Sequence, residues 1–120
     1  MRLGLEAGPH TLDLAVEQDV SGVPISMDQL VNDGVDATLQ PLEERGLKVC
    51  QIGAFGYNPL SPDRDAQARQ AEKLRETIPL AAATGCPYIA ICGGNYHPSG
   101  FGAGDRRNFT EEALDEIAKA

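Results

Sequence analysis

Two short polar stretches of this 120-residue sequence hold side chains able to bind a ligand or move a proton, and each follows an apolar run. Tyr57 and Asn58 follow the run that ends at Phe55. Asn95, Tyr96 and His97 follow Tyr88-Ile-Ala-Ile-Cys92 and the break at Gly93-Gly94. Glu6 and His10 bracket the turn at Gly8-Pro9 near the N-terminus. A neutral imidazole can hydrogen-bond a polar ligand or bind a metal, which makes His97 the strongest of these groups. Loops leaving the C-terminal ends of strands are where α/β proteins place their binding groups. On that rule Glu6, His10, Tyr57, Asn58, Asn95, Tyr96 and His97 are the candidate pocket residues. Each has a plain structural alternative. Glu6 can be a solvated strand-end charge, His10 a turn residue facing solvent, Tyr57 a packing group. Asn58 before Pro59 has the chemistry of a turn.

The elements that must position these residues are read from periodicity and punctuation. Residues 47–55 form a strand: Val49, Ile52 and Phe55 are β formers, and Gly46 stops the helix before them. Pro59 has no amide hydrogen for a ladder, so the strand has ended before it. Ser61-Pro62 then opens a helix, with Ser61 as N-cap and Pro62 at the first helical position. That helix runs over residues 62–84, with Ala71, Leu74, Ile78 and Ala81/Ala82 as its apolar stripe, a bend at Pro79 and a stop at Gly85. Residues 88–92 are a wholly apolar strand, expected to be covered on both faces.

Before this stretch lie a strand over 2–8, a turn at 9–11 and a helix over 12–18 with Leu12, Ala15 and Val16 on one face. A strand over 20–25 follows, weakened by Pro24. Ser26-Met-Asp-Gln29 is a capping box opening a helix through Asn32. Asp33 is placed to cap a second helix over 34–45, with Leu39 and Leu42 apolar, Pro41 as a kink or true start, and Gly46 just past its end. After the strand at 88–92 comes a long polar loop over 95–107, whose glycine-rich stretch 98–104 is read either as a lid over the site or as a plain connection. Asn108 or Thr110 then caps a last helix over 111–120.

The rhythm is βα four times over. Helical crossovers between buried strands argue for a parallel sheet with right-handed connections. An open doubly wound sheet and part of a (β/α)8 barrel share that rhythm. The glycines spell neither G-x-G-x-x-G nor a P-loop, which weakens the nucleotide-binding option.

Length and composition set the remaining bounds. The chain is one domain's worth, residues 1–120, of ordinary globular composition. A formal charge of −8, with Arg106-Arg107 the only basic pair, argues against nucleic-acid and anionic-membrane partners. Asp105-Arg106-Arg107 reads as surface charge or, less simply, as a reach toward a phosphate. Glu43-Glu44 and Glu111-Glu112 read as solvated helix faces. The N-terminus has no long apolar segment of a signal peptide, so the cytoplasm is the expected compartment. Cys50, Cys86 and Cys92 lack C-x-x-C spacing and lie in or beside apolar runs, which points to buried free thiols.

From residue 46 to 120 the sequence resembles the sugar phosphate isomerase/epimerase proteins of the xylose isomerase-like TIM barrel superfamily. The segments CQIGAFGYNPLSPD, AAATGCPYIAICGGNYHP and RNFTEEALDEI carry the resemblance, above all Asn58-Pro59-Leu60 with Ser61-Pro62-Asp63, and Gly93-Gly94-Asn95. It implies the first half of a (β/α)8 barrel and a divalent-metal enzyme, using Mn, Mg, Co or Zn, that isomerises or epimerises a small carbohydrate beside its carbonyl. A metal in such an enzyme holds substrate oxygens and acidifies the neighbouring proton. The family's metal is held by Glu, Asp, His and Glu on later strands. No residue here matches those ligands, so no metal ligand and no catalytic residue is assigned in this chain.

The sequence departs from the family in length. About four βα units are present, whereas a full barrel takes about 250 residues. The expectation is an N-terminal fragment, inactive alone, whose open strand edges need self-association or the other half-barrel to cover them. In the barrel the seven candidates become the pocket wall, with His97 placed to hydrogen-bond a sugar hydroxyl or to bind a metal. Zinc endonucleases for abasic DNA are a related barrel group; the acidity of this chain and its two histidines argue against that activity. Two readings of other kinds stand beside the isomerase. One is a non-catalytic α/β module binding a small ligand or another protein. The other is an unrelated open sheet, which predicts a non-sequential strand order.

Overall fold

Three strands pair side by side in the order in which the chain makes them. The computed structural model describes residues 9–120. The expected strand over 2–8, and Glu6 with it, lie outside the described residues. Strands β1 (Gly22–Ser26), β2 (Lys48–Gly53) and β3 (Ile89–Ala90) are parallel in the order β1-β2-β3. Sequential parallel pairing across helical crossovers is how a (β/α)8 barrel is built, and among the described strands the shuffled order of the open-sheet alternative does not occur. The chain is mixed α/β, and its fold is part of such a barrel.

Helix α1 (Pro9–Glu17) begins three residues before the expected start. A proline in the first helical position loses no hydrogen bond, so residues 9–11 are the helix's first turn and not a separate one. It buries Leu12 and Ala15, while Val16 is turned out. Asp19 closes it in the left-handed region at φ 54°, and the Val20 amide donates to the Ala15 carbonyl at 2.8 Å.

Strand β1 buries Val23 and Ile25. Pro24 between them has no N–H to donate, and the register with β2 slips at that point: Val23 lies opposite Val49, but Pro24 lies opposite Gln51. Cys50 is the residue passed over. It is exposed, which corrects the expectation of three buried thiols; Cys86 is buried and Cys92 half-buried.

Ser26 caps α2 (Met27–Asp33) as its capping box predicts, its hydroxyl accepting from the Gln29 amide at 3.0 Å. Asp33 does not cap the next helix. Gly34, at φ 82° and ψ 170°, is both the end of α2 and the N-cap of α3 (Val35–Glu43), a conformation that a side chain resists. Pro41 lies inside α3, and Arg45 reaches back to its carbonyl at 3.0 Å while pairing with Asp13 at 2.7 Å. Gly46, at φ 69°, ends the element, and the Leu47 amide donates to the Leu42 carbonyl at 2.9 Å.

Helix α4 (Arg64–Thr84) starts two residues later than expected, with Asp63 and not Ser61 as its cap; the Asp63 carboxylate accepts from the Ala66 amide at 2.9 Å. Its inner face is Leu74, Thr77 and Ala81, while Ile78 is 57% exposed. The expected stripe missed Thr77 because it is polar. Its hydroxyl donates to the Lys73 carbonyl at 2.8 Å and needs no other partner. Helix α4 continues through Pro79, ends at Gly85 in the left-handed region, and packs on α2 and α3.

The last strand is shorter and barer than its sequence suggests. Only Ile89 and Ala90 are in the ladder, and Tyr88 and Ile91 are 66% and 52% exposed. Strand β3 is the outer strand here, so one edge and much of its surface have no cover among the described residues. Thr110 opens α5 (Glu111–Lys119), its hydroxyl accepting from the Ala113 amide at 3.2 Å. Among the described residues no helix is long and apolar enough to cross a membrane.

Candidate functional site

Strands β2 and β3 end side by side, and the loops that leave them are laced together by asparagines. Beyond β2, Tyr57 is buried, with its amide donating to the Ala54 carbonyl at 3.1 Å. Asn58 begins a turn over Pro59, its Oδ1 accepting from the Leu60 amide at 3.1 Å. The same oxygen accepts from the Asn95 amide at 2.8 Å, and Asn58 Nδ2 donates to the Asn95 carbonyl at 2.8 Å. Asn58 therefore pairs with the Asn95 backbone much as a neighbouring strand would. Gln67 of α4 adds a hydrogen bond to the Pro59 carbonyl.

This lacing requires a glycine just before Asn95. Gly94 has φ 97°, and a Cβ there would stand 2.8 Å from Leu60 Cγ and 3.1 Å from Asn58 Oδ1. The break at Gly93-Gly94 thus lies beyond the end of β3 and is a point of close chain approach.

Asn95 is the hub, 6% exposed. Its Nδ2 donates to the carbonyls of Gly100, at 3.0 Å, and Ala103, at 2.5 Å. Its Oδ1 accepts from the His97 amide and from Asn108 Nδ2, both at 2.9 Å. An amide side chain has two N–H donors and two acceptor positions, so Asn95 has no capacity left. Asn108 Oδ1 accepts from the Tyr96 amide at 3.0 Å. Asn108 was a candidate only as a helix cap; it ties the far end of the loop to its start. Residues 95–109 are therefore a clamped unit containing two 3-10 turns, Gly100–Gly102 and Arg106–Phe109.

Tyr96 and His97 are half-buried on this unit. The Arg107 guanidinium lies over the Tyr96 ring, 4.9 Å from its centre, and donates to the Tyr96 carbonyl at 3.3 Å. Loss of solvent, and then the Glu116 and Glu112 carboxylates, push the Tyr96 phenol above its ordinary value. Arg107 also pairs with Asp105 at 2.7 Å. Side-chain and backbone hydrogen bonds from Arg107 hold the Asp105 carboxyl down to about 2. This pairing commits Arg107 within the loop.

His97 Nδ1 faces Ser99, with the Ser99 amide at 3.2 Å and its hydroxyl at 2.7 Å. The amide can only donate, so Nδ1 accepts and the neutral ring carries its proton on Nε2.

The structure thus brings Tyr57, Asn58, Asn95, Tyr96 and His97 to the ends of β2 and β3. His10 is exposed in the first turn of α1, and no hydrogen bond among the described residues joins it to the cluster. Ser99 and Asn108 complete the constellation, and their positions two and thirteen residues from partners of the cluster are its only trace in the sequence. Among the described residues no three His, Cys, Asp or Glu side chains are grouped to hold a metal ion. These residues do not fit a metal centre.

A family model described as a xylose isomerase-like TIM barrel matches residues 6–120. No curated protein matches the chain.

Proposed function

Because this chain belongs to the xylose isomerase-like TIM barrel family, we propose that it forms the first βα units of a divalent-metal-dependent sugar or sugar-phosphate isomerase or epimerase. The observation that carries the reading is the clamped polar wall at the C-terminal ends of β2 and β3, where barrel enzymes take up substrate. In this reading residues 9–120 bind and shape. Asn58, Asn95 and Asn108 hold the wall, Tyr57 fills the space beneath it, and Tyr96 and His97 face a small carbohydrate. The metal ligands and the proton-transfer groups are supplied by later strands outside this sequence.

Solvent exchange tests the reading. The protein is isolated from its native source, weighed accurately, and incubated in D2O with ketoses and ketose phosphates, with Mn2+ or with chelator. The expected result is a mass above that of 120 residues. Deuterium should enter beside the sugar carbonyl with metal and not with chelator. A metal-supplied native protein that exchanges no ketose proton would overturn the reading. A second reading, a non-catalytic module that docks on another chain, is favoured by the exposed Tyr88 and Ile91, which flank the outer strand β3. It predicts a stable 120-residue protein with no exchange.

A further inference from the structure

We propose that His97 is a fixed hydrogen-bond donor, presenting Nε2–H to a hydroxyl or carbonyl oxygen of a polyhydroxylated substrate, and that Ser99 and Asn95 are the positioning residues that hold it so. The proposal deepens the carbohydrate reading above and rests on it. It assigns His97 a task different from metal ligation.

The argument is geometric. The Gly100 amide donates to the His97 carbonyl at 2.9 Å, closing a turn with Pro98 in second place. Ser99, at φ −83° and ψ 14°, has the backbone of the third residue of a type I turn. Asn95 grips this turn at both ends, accepting from the His97 amide at 2.9 Å and donating to the Gly100 carbonyl at 3.0 Å. Inside the turn the imidazole bends back, and Nδ1 accepts from Ser99.

Each contact removes a freedom of the ring. The turn fixes the backbone, the Ser99 contact fixes the rotamer, and the acceptor role of Nδ1 fixes the tautomer. Nε2–H has no partner among the described residues. A ring that must coordinate a metal offers a lone pair, whereas Nε2 here offers a proton. An oriented N–H at a strand end suits an oxygen-rich ligand, and a site that supplies a donor discriminates by whether an acceptor is opposite it.

Two substitutions separate the nitrogens. His97→Asn keeps an acceptor in place of Nδ1 and so keeps the turn, but removes Nε2–H. His97→Gln places an N–H near the position of Nε2 but loses the turn acceptor. The probe is D-fructose, titrated by ligand-observed NMR. Long-range 1H–15N spectra of the wild-type ring give the tautomer, and thermal melts report the fold.

The expected wild-type ring has its proton on Nε2. His97→Asn should melt like the wild type and bind D-fructose about tenfold more weakly, the loss of one useful hydrogen bond. His97→Gln should melt lower yet bind within about threefold of the wild type, a difference of about 0.7 kcal/mol. A proton on Nδ1 overturns the proposal without any sugar. Unchanged affinity in His97→Asn overturns the donor role alone. If His97→Asn does not fold, weak binding by a folded His97→Gln does the same. A wild type with the Nε2 proton that binds no D-fructose overturns the carbohydrate reading, and the donor role with it.

Discussion

Asn95 shows how one side chain can turn a glycine-rich stretch into a fixed wall. Its four hydrogen bonds reach residues 97, 100, 103 and 108, and Asn58 holds its backbone from the other strand. Gly94 makes that approach sterically feasible. Gly94→Ala would place a methyl group 2.8 Å from Leu60 Cγ at a backbone angle that disfavours any side chain. The expected loss is about 2 kcal/mol or more, read from urea unfolding; unchanged stability would mean that the two loops are not in contact. Asp105 makes a pH prediction of definite sign. Its carboxyl titrates near 2 when folded, first because Arg107 hydrogen-bonds to it. Its ordinary value is about 3.9. A depressed folded value means a stabilising contribution that is complete above the unfolded value and disappears as pH falls from about 4 toward 2. Carboxyl 13C shifts should place its midpoint well below the ordinary aspartate value, and Arg107→Ala should return it to the usual range.

Helix boundaries show what local sequence can and cannot reveal. Ser26 with Gln29, Gly46 and Gly85 were legible because caps and left-handed glycines act within one turn of chain. The start of α4 was misplaced because Ser61-Pro62 and Asp63 are all good opening residues, and only the structure shows which side chain meets an amide. Asp63→Ala should therefore cost about 1 kcal/mol in unfolding free energy, while Ser61→Ala should cost almost nothing. The reverse order would restore Ser61 as the cap. Helix α3 carries a second test. Thr38 is fully buried, and its hydroxyl has no partner among the described residues. Thr38→Val keeps the shape and removes the stranded group, so it should stabilise the protein by about 1 kcal/mol in the same assay. Longer-range features were not legible. The register slip that passes over Cys50 lies opposite Pro24 on the neighbouring strand, and the asparagine hub joins residues 37 apart.

At the scale of the whole molecule, two opposing surfaces govern association. The β3 end displays Tyr88 and Ile91, and Phe109 and Leu114 are exposed on the segment that follows it. An outer parallel strand with apolar neighbours is a template for another chain. Against this stands a formal charge of −8, which makes two copies repel. Salt decides between these terms. Raising ionic strength from 0.15 M to 1 M shortens the screening length from about 8 Å to about 3 Å and leaves the apolar surface as attractive as before. The chain is therefore expected to sediment as a monomer in dilute buffer and to self-associate in 1 M NaCl as its concentration rises. Ile91→Lys places a charge on the open edge and should abolish the salt-induced species, whereas Lys119→Gln, at the far end of α5, should not. A chain that stays monomeric at high salt would show that repulsion was not what kept the edge free. Association that survives Ile91→Lys would move the contact away from β3.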